Sequence, residues 1–270
     1  MGWRVKVSHV THVDYDGEAH SSYNEVRMTP LHNVLSSRVL VRPAVPVYTY
    51  EDYWGTQVTA FDVTEPHRSL TIEAVSQVET SGPRRPTLAV TEPGPALGEL
   101  LSRTPMTAVN DELAELATTQ VNGRDPHETA EAICEVVAAR VEYMPGSTGV
   151  QTSAQEAWDL GQGVCQDMAH LTAGLLRAAG LPARYVSGYL HPRPTADIGE
   201  PVAGQSHAWV EYWAGEWLPL DPTNRSRVGE AHVVVARGRD YSDVPPLKGI
   251  YQGPPESRQE ITVTVTRLPM

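Results

Sequence analysis

Residues 161–182 read GQGVCQDMAHLTAGLLRAAGLP. After two glycines and a cysteine, Met168, Leu171, Leu175 and Leu176 recur at three- and four-residue steps until Gly180 and Pro182 close the run. This spacing predicts an apolar helix with Cys165 in its first turn. Backbone N–H groups there lack intrahelical acceptors and the helix dipole is positive, so a thiolate is favoured. A free thiol of pKa about 8.5 is only a few per cent ionised at neutral pH and needs a neighbouring imidazole to react.

The best partner is His207, which opens SHAWVEYW (206–213), a strand followed by the return strand WLPLDPTN (217–224). A three-residue loop Trp213-Ala214-Gly215 pairs Tyr212 with Glu216, and counting back puts Asp221 across from His207 on the same face. A two-residue loop would send the two side chains to opposite faces. The hairpin thus predicts a His-Asp pair, which is what a cysteine nucleophile requires. One ring nitrogen takes the thiol proton while the carboxylate holds the other N–H and sets the tautomer.

The chain around this triad divides in two. From Trp3 to about Thr80 apolar residues alternate: Trp3, Val5 and Val7 share one face, DYDG (14–17) breaks the run, and Leu70, Ile72, Ala74 and Val78 line one side of a later strand. This reads as antiparallel β. SGPRRPTLAVTEPGPAL (81–97), with four prolines and two glycines, suits an irregular connection. In DPHETAEAICEVVAARVEYMPG (125–146), Asp125, Pro126 and Glu128 signal a helix start, and Ala130, Ile133, Val136, Val137 and Val141 give it a buried face. Cys134 lies within that pattern and reads as inert core. Ser153 with Glu156 opens a short helix through Trp158. ARYVSGYL (183–190), the hairpin above and QEITVTVTRL (259–268) supply later strands. The domains expected are 1–106, β-rich, and 107–270, the core.

GVCQDMAHLTAGLLRAAGLPARYVSGYL, SHAWVEYW and WLPLDPTN, together with GRDYSDVPPLKGIYQG (238–253), resemble the catalytic segments of the bacterial branch of the transglutaminase-like superfamily. The likeness covers roughly residues 125–250, and the first hundred residues resemble the N-terminal domain that precedes this core in many bacterial members. The resemblance implies an α+β fold: an N-terminal antiparallel β domain, then a papain-like, transglutaminase-like core with the catalytic Cys at a helix N-terminus packed on an antiparallel sheet. It implies Cys165 as nucleophile, His207 as base, Asp221 as its orienting acid, and acyl transfer through a thioester.

Other residues near the triad invite roles. Asp167 and His170 match the QD.AH pattern and read as structural, Asp167 anchoring a loop and His170 bonding to the sheet. The backbone N–H of Cys165 is the natural first oxyanion donor, and Gln162, Gln166 and Trp158 are candidates for a second. Trp209 and Trp213 could wall an acyl-binding cleft, with core packing the plainer reading. His9 and His12 in HVTH read as surface residues. GQGVCQ lacks the third glycine of a dinucleotide fingerprint, and neither a Walker A sequence nor a G-x-S-x-G elbow occurs.

Composition narrows the partners. A net charge of -12 opposes attraction to phosphate backbones, so nucleic acid is not expected. No apolar run approaches the roughly 18 residues that span a bilayer. Two cysteines make neither a disulfide scaffold nor a thiolate metal site. DYDGEA (14–19) has its glycine misplaced for a calcium loop and reads as a β-turn, so neither a metal nor a cofactor is expected. MGWRVKVSHV resembles neither a secretory signal nor a myristoylation site, which points to the cytoplasm. The expected activity is hydrolysis of a peptide or amide bond in a peptide or protein substrate. Amine acyl transfer to a primary-amine acceptor is the second enzymatic reading, and a non-catalytic peptide- or protein-binding module is the rival from another class.

Overall fold

The computed structural model describes residues 2–82, 96–193 and 195–270. Most of the connection expected at 81–97 lies outside them. The N-terminal part contributes β1 (Arg4–Ala19), β2 (Ser21–Val26), β3 (Val34–Arg42), β4 (Tyr48–Glu51), β5 (Gln57–Val63) and β6 (His67–Glu79). Alternation decides which side of each strand is buried: Val5, Val7 and Val13 of β1 and Leu70, Ile72, Ala74 and Val78 of β6 face inward. The strand expected to break at DYDG instead continues to Ala19, its register against β6 slipping between Asp14 and Ala19 in a bulge.

Next come α1 (Ala96–Glu99), α2 (Asp111–Thr119), α3 (Pro126–Arg140), β7 (Glu142–Tyr143), α4 (Ala154–Leu160), β8 (Gln162–Gly163) and α5 (Cys165–Ala178). Both expected capping boxes form. Asp125 accepts from the Glu128 amide at 2.8 Å and Glu128 returns to the Asp125 amide at 3.1 Å, and Ser153 with Glu156 does the same for α4.

The chain then runs through β9 (Ala183–Leu190), β10 (Pro201–Ala203), β11 (Gln205–Trp213), β12 (Trp217–Leu220), β13 (His232–Gly238), a 3-10 turn (Tyr241–Asp243), β14 (Leu247–Gln252) and β15 (Ser257–Leu268). Among the described residues the antiparallel sheets run β12-β11-β9-β13, β10-β15-β1-β6-β3 and β14-β2-β5-β4. The final strands, expected with the core, cross back: β15 pairs with β1 from Tyr15↔Ser257 to Arg4↔Leu268, and β14 pairs with β2. The N-terminal sheets are therefore closed by C-terminal residues. Val13, Met28, Phe61, Leu70 and Ile72 form one core, while Val5, Val7, Val78, Val263 and Val265 join the larger core around α5.

Every residue of α5 from Asp167 to Arg177 is buried. Leu171, Leu175 and Leu176 each contribute about 1.5–3 kcal/mol by leaving water. Arg177, also buried, donates to the Ala183, Ser102 and Arg239 carbonyls and to Thr107 Oγ1, satisfying loop backbone that the core has removed from solvent. Gly174 lets the segment before α2 lie against the helix, since a Cβ there would stand 2.3 Å from the Thr107 carbonyl oxygen.

His9 departs from the surface reading. It shares the inward face of β1 with Val7 and Thr11, is 1 % exposed, and bonds Tyr189 Oη at 2.9 Å and Thr11 Oγ1 at 3.1 Å. Burial lowers its pKa to about 4, so the ring is neutral.

Because backbone opposes the missing methyl, Gly174→Ala is expected to cost about 1–3 kcal/mol of stability. Urea unfolding of the two proteins measures this, and an unchanged midpoint would contradict the packing described.

Candidate functional site

Helix α5 starts at Cys165, with Val164 in extended backbone as its cap. Asp167, in the third helical position, accepts from the Val164 amide at 2.7 Å and from Thr148 Oγ1 at 2.6 Å. It thereby ties the helix start to the loop after β7. Burial outweighs these two donors and raises its pKa. Gln166 Nε2 donates to the Val150 carbonyl at 3.2 Å, a second tie to the same loop. Segment 161–163 is fastened in parallel to 142–144, the Glu142 and Met144 amides donating to the Gly161 and Gly163 carbonyls at 2.9 Å. Cys165 is half-buried, and Tyr143 of β7 with Met144 and Val150 of this loop remain exposed. The Tyr143 hydroxyl lies within electrostatic range of the Cys165 sulfur.

The hairpin carries the other two side chains, in a register two residues from the one expected. Trp213 pairs with Trp217 and Val210 with Leu220 around the turn Ala214-Gly215-Glu216. Asp221 is thus a diagonal neighbour of His207, just past the end of β12. A slip of two residues preserves the face, so the pair still meets: His207 Nε2 lies 2.8 Å from Asp221 Oδ2. The expected loop erred because a glycine does not reveal which of its neighbours closes the hairpin.

Asp221 is wholly buried and surrounded by donors. Its Oδ2 accepts from His207, from Asn224 Nδ2 at 2.8 Å and from His232 Nε2 at 3.3 Å. Its Oδ1 accepts from the amides of Thr223 at 3.0 Å and Asn224 at 3.2 Å. Burial alone would push the carboxyl pKa up, yet these donors and the charge of His207 hold it far below the ordinary range. For His207, burial works against the cation. Hydrogen bonds to Asp221 and Cys165, with their charges, overcome it and raise the imidazole from 6.5 to about 9. With Nε2–H donated to Asp221, Nδ1 is the nitrogen left for the sulfur.

Trp209 is fully buried and stacks on His207 with ring centres 5.9 Å apart, so it backs the imidazole and does not wall a cleft. It fits because Gly188 has no side chain: a Cβ there would lie 2.6 Å from the indole. Trp158 packs partly buried beneath the Arg140 guanidinium, 5.5 Å from its ring centre. Gln166 spends an amide donor on Val150, and Gln162 sits in β8 beside Glu142. His170, neutral because burial lowers its pKa to about 4, accepts at Nε2 from the Tyr241 amide at 3.0 Å and pins the turn after β13. Cys134 is buried in α3, and burial pushes its thiol up to about 12.

Asn224 and His232 escaped the sequence analysis. Asn224 was signalled by DPTN, where an amide three residues after an aspartate can turn back on it, and His232 by opening a strand of valines as His207 opens its own. His207, Asp221 and His232 bring two imidazoles and a carboxylate within 4.8 Å of one another, a donor set a metal ion could use. The tautomers argue otherwise. The Gly229 amide donates to His232 Nδ1 at 3.3 Å, so Nε2 carries the proton and points it at Asp221. A metal-bound Nε2 would require the reverse.

Comparison with known proteins shows which family the chain resembles. Residues 114–222 match the family model of the transglutaminase-like superfamily, and residues 5–79 that of the bacterial transglutaminase-like N-terminal region. The uncharacterized protein ML0607 of Mycobacterium leprae is 42% identical over 98% of this chain and 99% of its own length. A protein-glutamine gamma-glutamyltransferase of Pseudomonas aeruginosa is 40% identical over 83 residues, 29% of this chain and 12% of that protein. In fold, the crystal structure of a candidate cysteine protease from Cytophaga hutchinsonii matches with a TM-score of 0.81 at 21% identity, covering 100% of this chain and 92% of that one.

A folded-state pKa above the unfolded value means that His207 contributes stability in full below pH 6.5, progressively less as pH rises, and none above about 9. The stability difference between wild type and His207→Ala should therefore shrink by about 3 kcal/mol across that window. Urea unfolding at a series of pH values reads it directly. A difference that stays flat would mean that the ring is not held as a cation.

Proposed function

We propose that this chain, which belongs to the transglutaminase-like superfamily, is a thiol-dependent acyl-transfer enzyme that hydrolyses a peptide or amide bond through a thioester on Cys165. The observation that carries the reading is the His207–Asp221 pair, with Nε2 2.8 Å from Oδ2, and the half-buried Cys165 thiol at the start of α5 near enough to act on the same imidazole. A structural scaffold has no use for this arrangement.

The steps follow from the atoms. At neutral pH His207 Nδ1 already holds the proton that the thiol gives up, and this imidazolium is stabilised by Asp221 at Nε2. The thiolate adds to the acyl carbon, and the developing oxyanion is met by the Cys165 amide, which has no intrahelical acceptor at the first helical position. The tetrahedral intermediate collapses as Nδ1–H protonates the departing amine, leaving the thioester. Water then gives a proton to Nδ1 and adds to the thioester carbon, and the sulfur leaves as the thiolate, restoring the pair with the imidazolium. Asp221 acts through His207 by fixing its orientation and tautomer.

A second reading, transfer of the acyl group to a primary amine, is favoured by the stretch 40% identical to the Pseudomonas aeruginosa gamma-glutamyltransferase. An amine replaces water in the last step and every other proton movement is the same.

Intact-mass spectrometry with a peptide-amide library, with and without a primary amine, tests both. A mass increase on the wild type that Cys165→Ala lacks shows the thioester, and the released product is the free acid or the substituted amide. His207→Ala should lower turnover by about 10²–10⁴-fold. Cys165 should react with iodoacetamide at least about tenfold faster than Cys134 near neutral pH. Equal, slow labelling of both thiols would overturn the enzymatic reading.

A further inference from the structure

We propose that His232 is a positioning residue for the acyl transfer, a second imidazole on Asp221 that fixes the carboxylate and sets how firmly His207 holds its proton. The inference rests on the function proposed above.

Strand β13 begins His232-Val233-Val234-Val235, and an apolar residue at its first position would fill the same volume. The histidine instead uses both ring nitrogens: Nδ1 accepts from the Gly229 amide at 3.3 Å, and Nε2 donates to Asp221 Oδ2 at 3.3 Å. Its side chain is 4 % exposed, so the bond to the wholly buried Asp221 carboxylate does not compete with water. Asn224, the other side-chain donor to this oxygen besides His207, lies on an exposed loop. His232 also meets Trp209 edge to face with ring centres 5.3 Å apart, and Trp209 stacks on His207. The second imidazole therefore supports the first along two routes, through the shared oxygen and through the indole.

Charge sharing gives the direction of the effect. Each donor on Oδ2 draws negative charge that would otherwise stabilise the His207 imidazolium. Losing the His232 donor should make Asp221 a stronger partner for His207 and raise the pH at which His207 gives up its proton. Losing one of three side-chain anchors should also let the carboxylate and the His207 ring swing. Among the described residues, the other titratable groups facing the thiol, the two rings or the carboxylate are Tyr143 on β7, Tyr185 on β9 and Cys134 on α3, with Asp167 on α5 and Asp240 and Tyr241 after β13 facing Tyr185. None of these changes in the variants below.

The test uses the full chain and the pH dependence of Cys165 alkylation by iodoacetate, whose negative charge makes the rate sensitive to the His207 imidazolium. In H232F the ring and its packing on Trp209 remain but the donor is gone. The alkaline limb should move up by about half a pH unit and kcat on the amide substrate should fall several-fold with KM little changed. H232Q, whose amide can reach Oδ2, should restore both. H232N, whose amide falls short, supplies the same donor loss with a polar side chain should H232F not fold. If wild type labels rapidly at Cys165 but H232F and H232N follow its profile, His232 has no positioning role. If wild-type Cys165 labels as slowly as Cys134, the proposed function itself falls.

Discussion

A carboxylate with no contact to water needs a donor for nearly every lone pair, and at Asp221 this requirement organises the site. Five hydrogen bonds reach its two oxygens, from a ring on β11, a ring on β13, an amide side chain and two backbone amides of the loop after β12. Removing one of these donors leaves the buried anion less well compensated, at a cost above that of an ordinary surface hydrogen bond. The hairpin, the loop at 221–224 and β13 are thus held in one arrangement by the anion they enclose. The basicity of His207 is a by-product of the same enclosure.

Helix α5 supplies the other half. Its burial from Asp167 to Arg177 holds the helix in place, so the first turn presents Cys165 at a fixed point. Around that turn the polar residues are spent on backbone and loops: Asp167 on Val164 and Thr148, Gln166 on Val150, His170 on Tyr241. Rigid support behind a half-open thiol suits acyl transfer, in which small displacements of the reacting atoms are costly. On the sheet, the buried Glu211 carboxylate is held between the part-buried Arg184 and Arg237 at 2.6 and 2.8 Å, an ion triad that joins the strands flanking the site.

The return of β14 and β15 to the N-terminal sheets binds the first and last parts of the chain into shared sheets. Val263 and Val265 enter the same core as Leu171 and Leu175, so the N-terminal sheet and α5 stand on a common apolar foundation. Alternation in QEITVTVTRL announces a strand but names no partner, because β pairing is set by contacts distant along the chain.

Local chemistry determined much of this protein by itself. Capping boxes at Asp125 and Ser153, the apolar stripe of α5, the inward faces of β1 and β6, and the cysteine at a helix start follow from residues within a turn or two of one another. So did the shared face of His207 and Asp221, which survived an error of two in register because side chains on a strand repeat every second residue. His9 lay within the same reach, since period two from Val5 and Val7 already turns it inward, and its polarity alone made it read as surface. Tertiary structure decided the rest: which strand edge receives β15, that Trp209 supports His207 and does not face a cleft, and that His232 shares the Asp221 oxygen. Those outcomes depend on which surfaces meet when distant segments pack, and no short window of sequence contains both sides of such a contact.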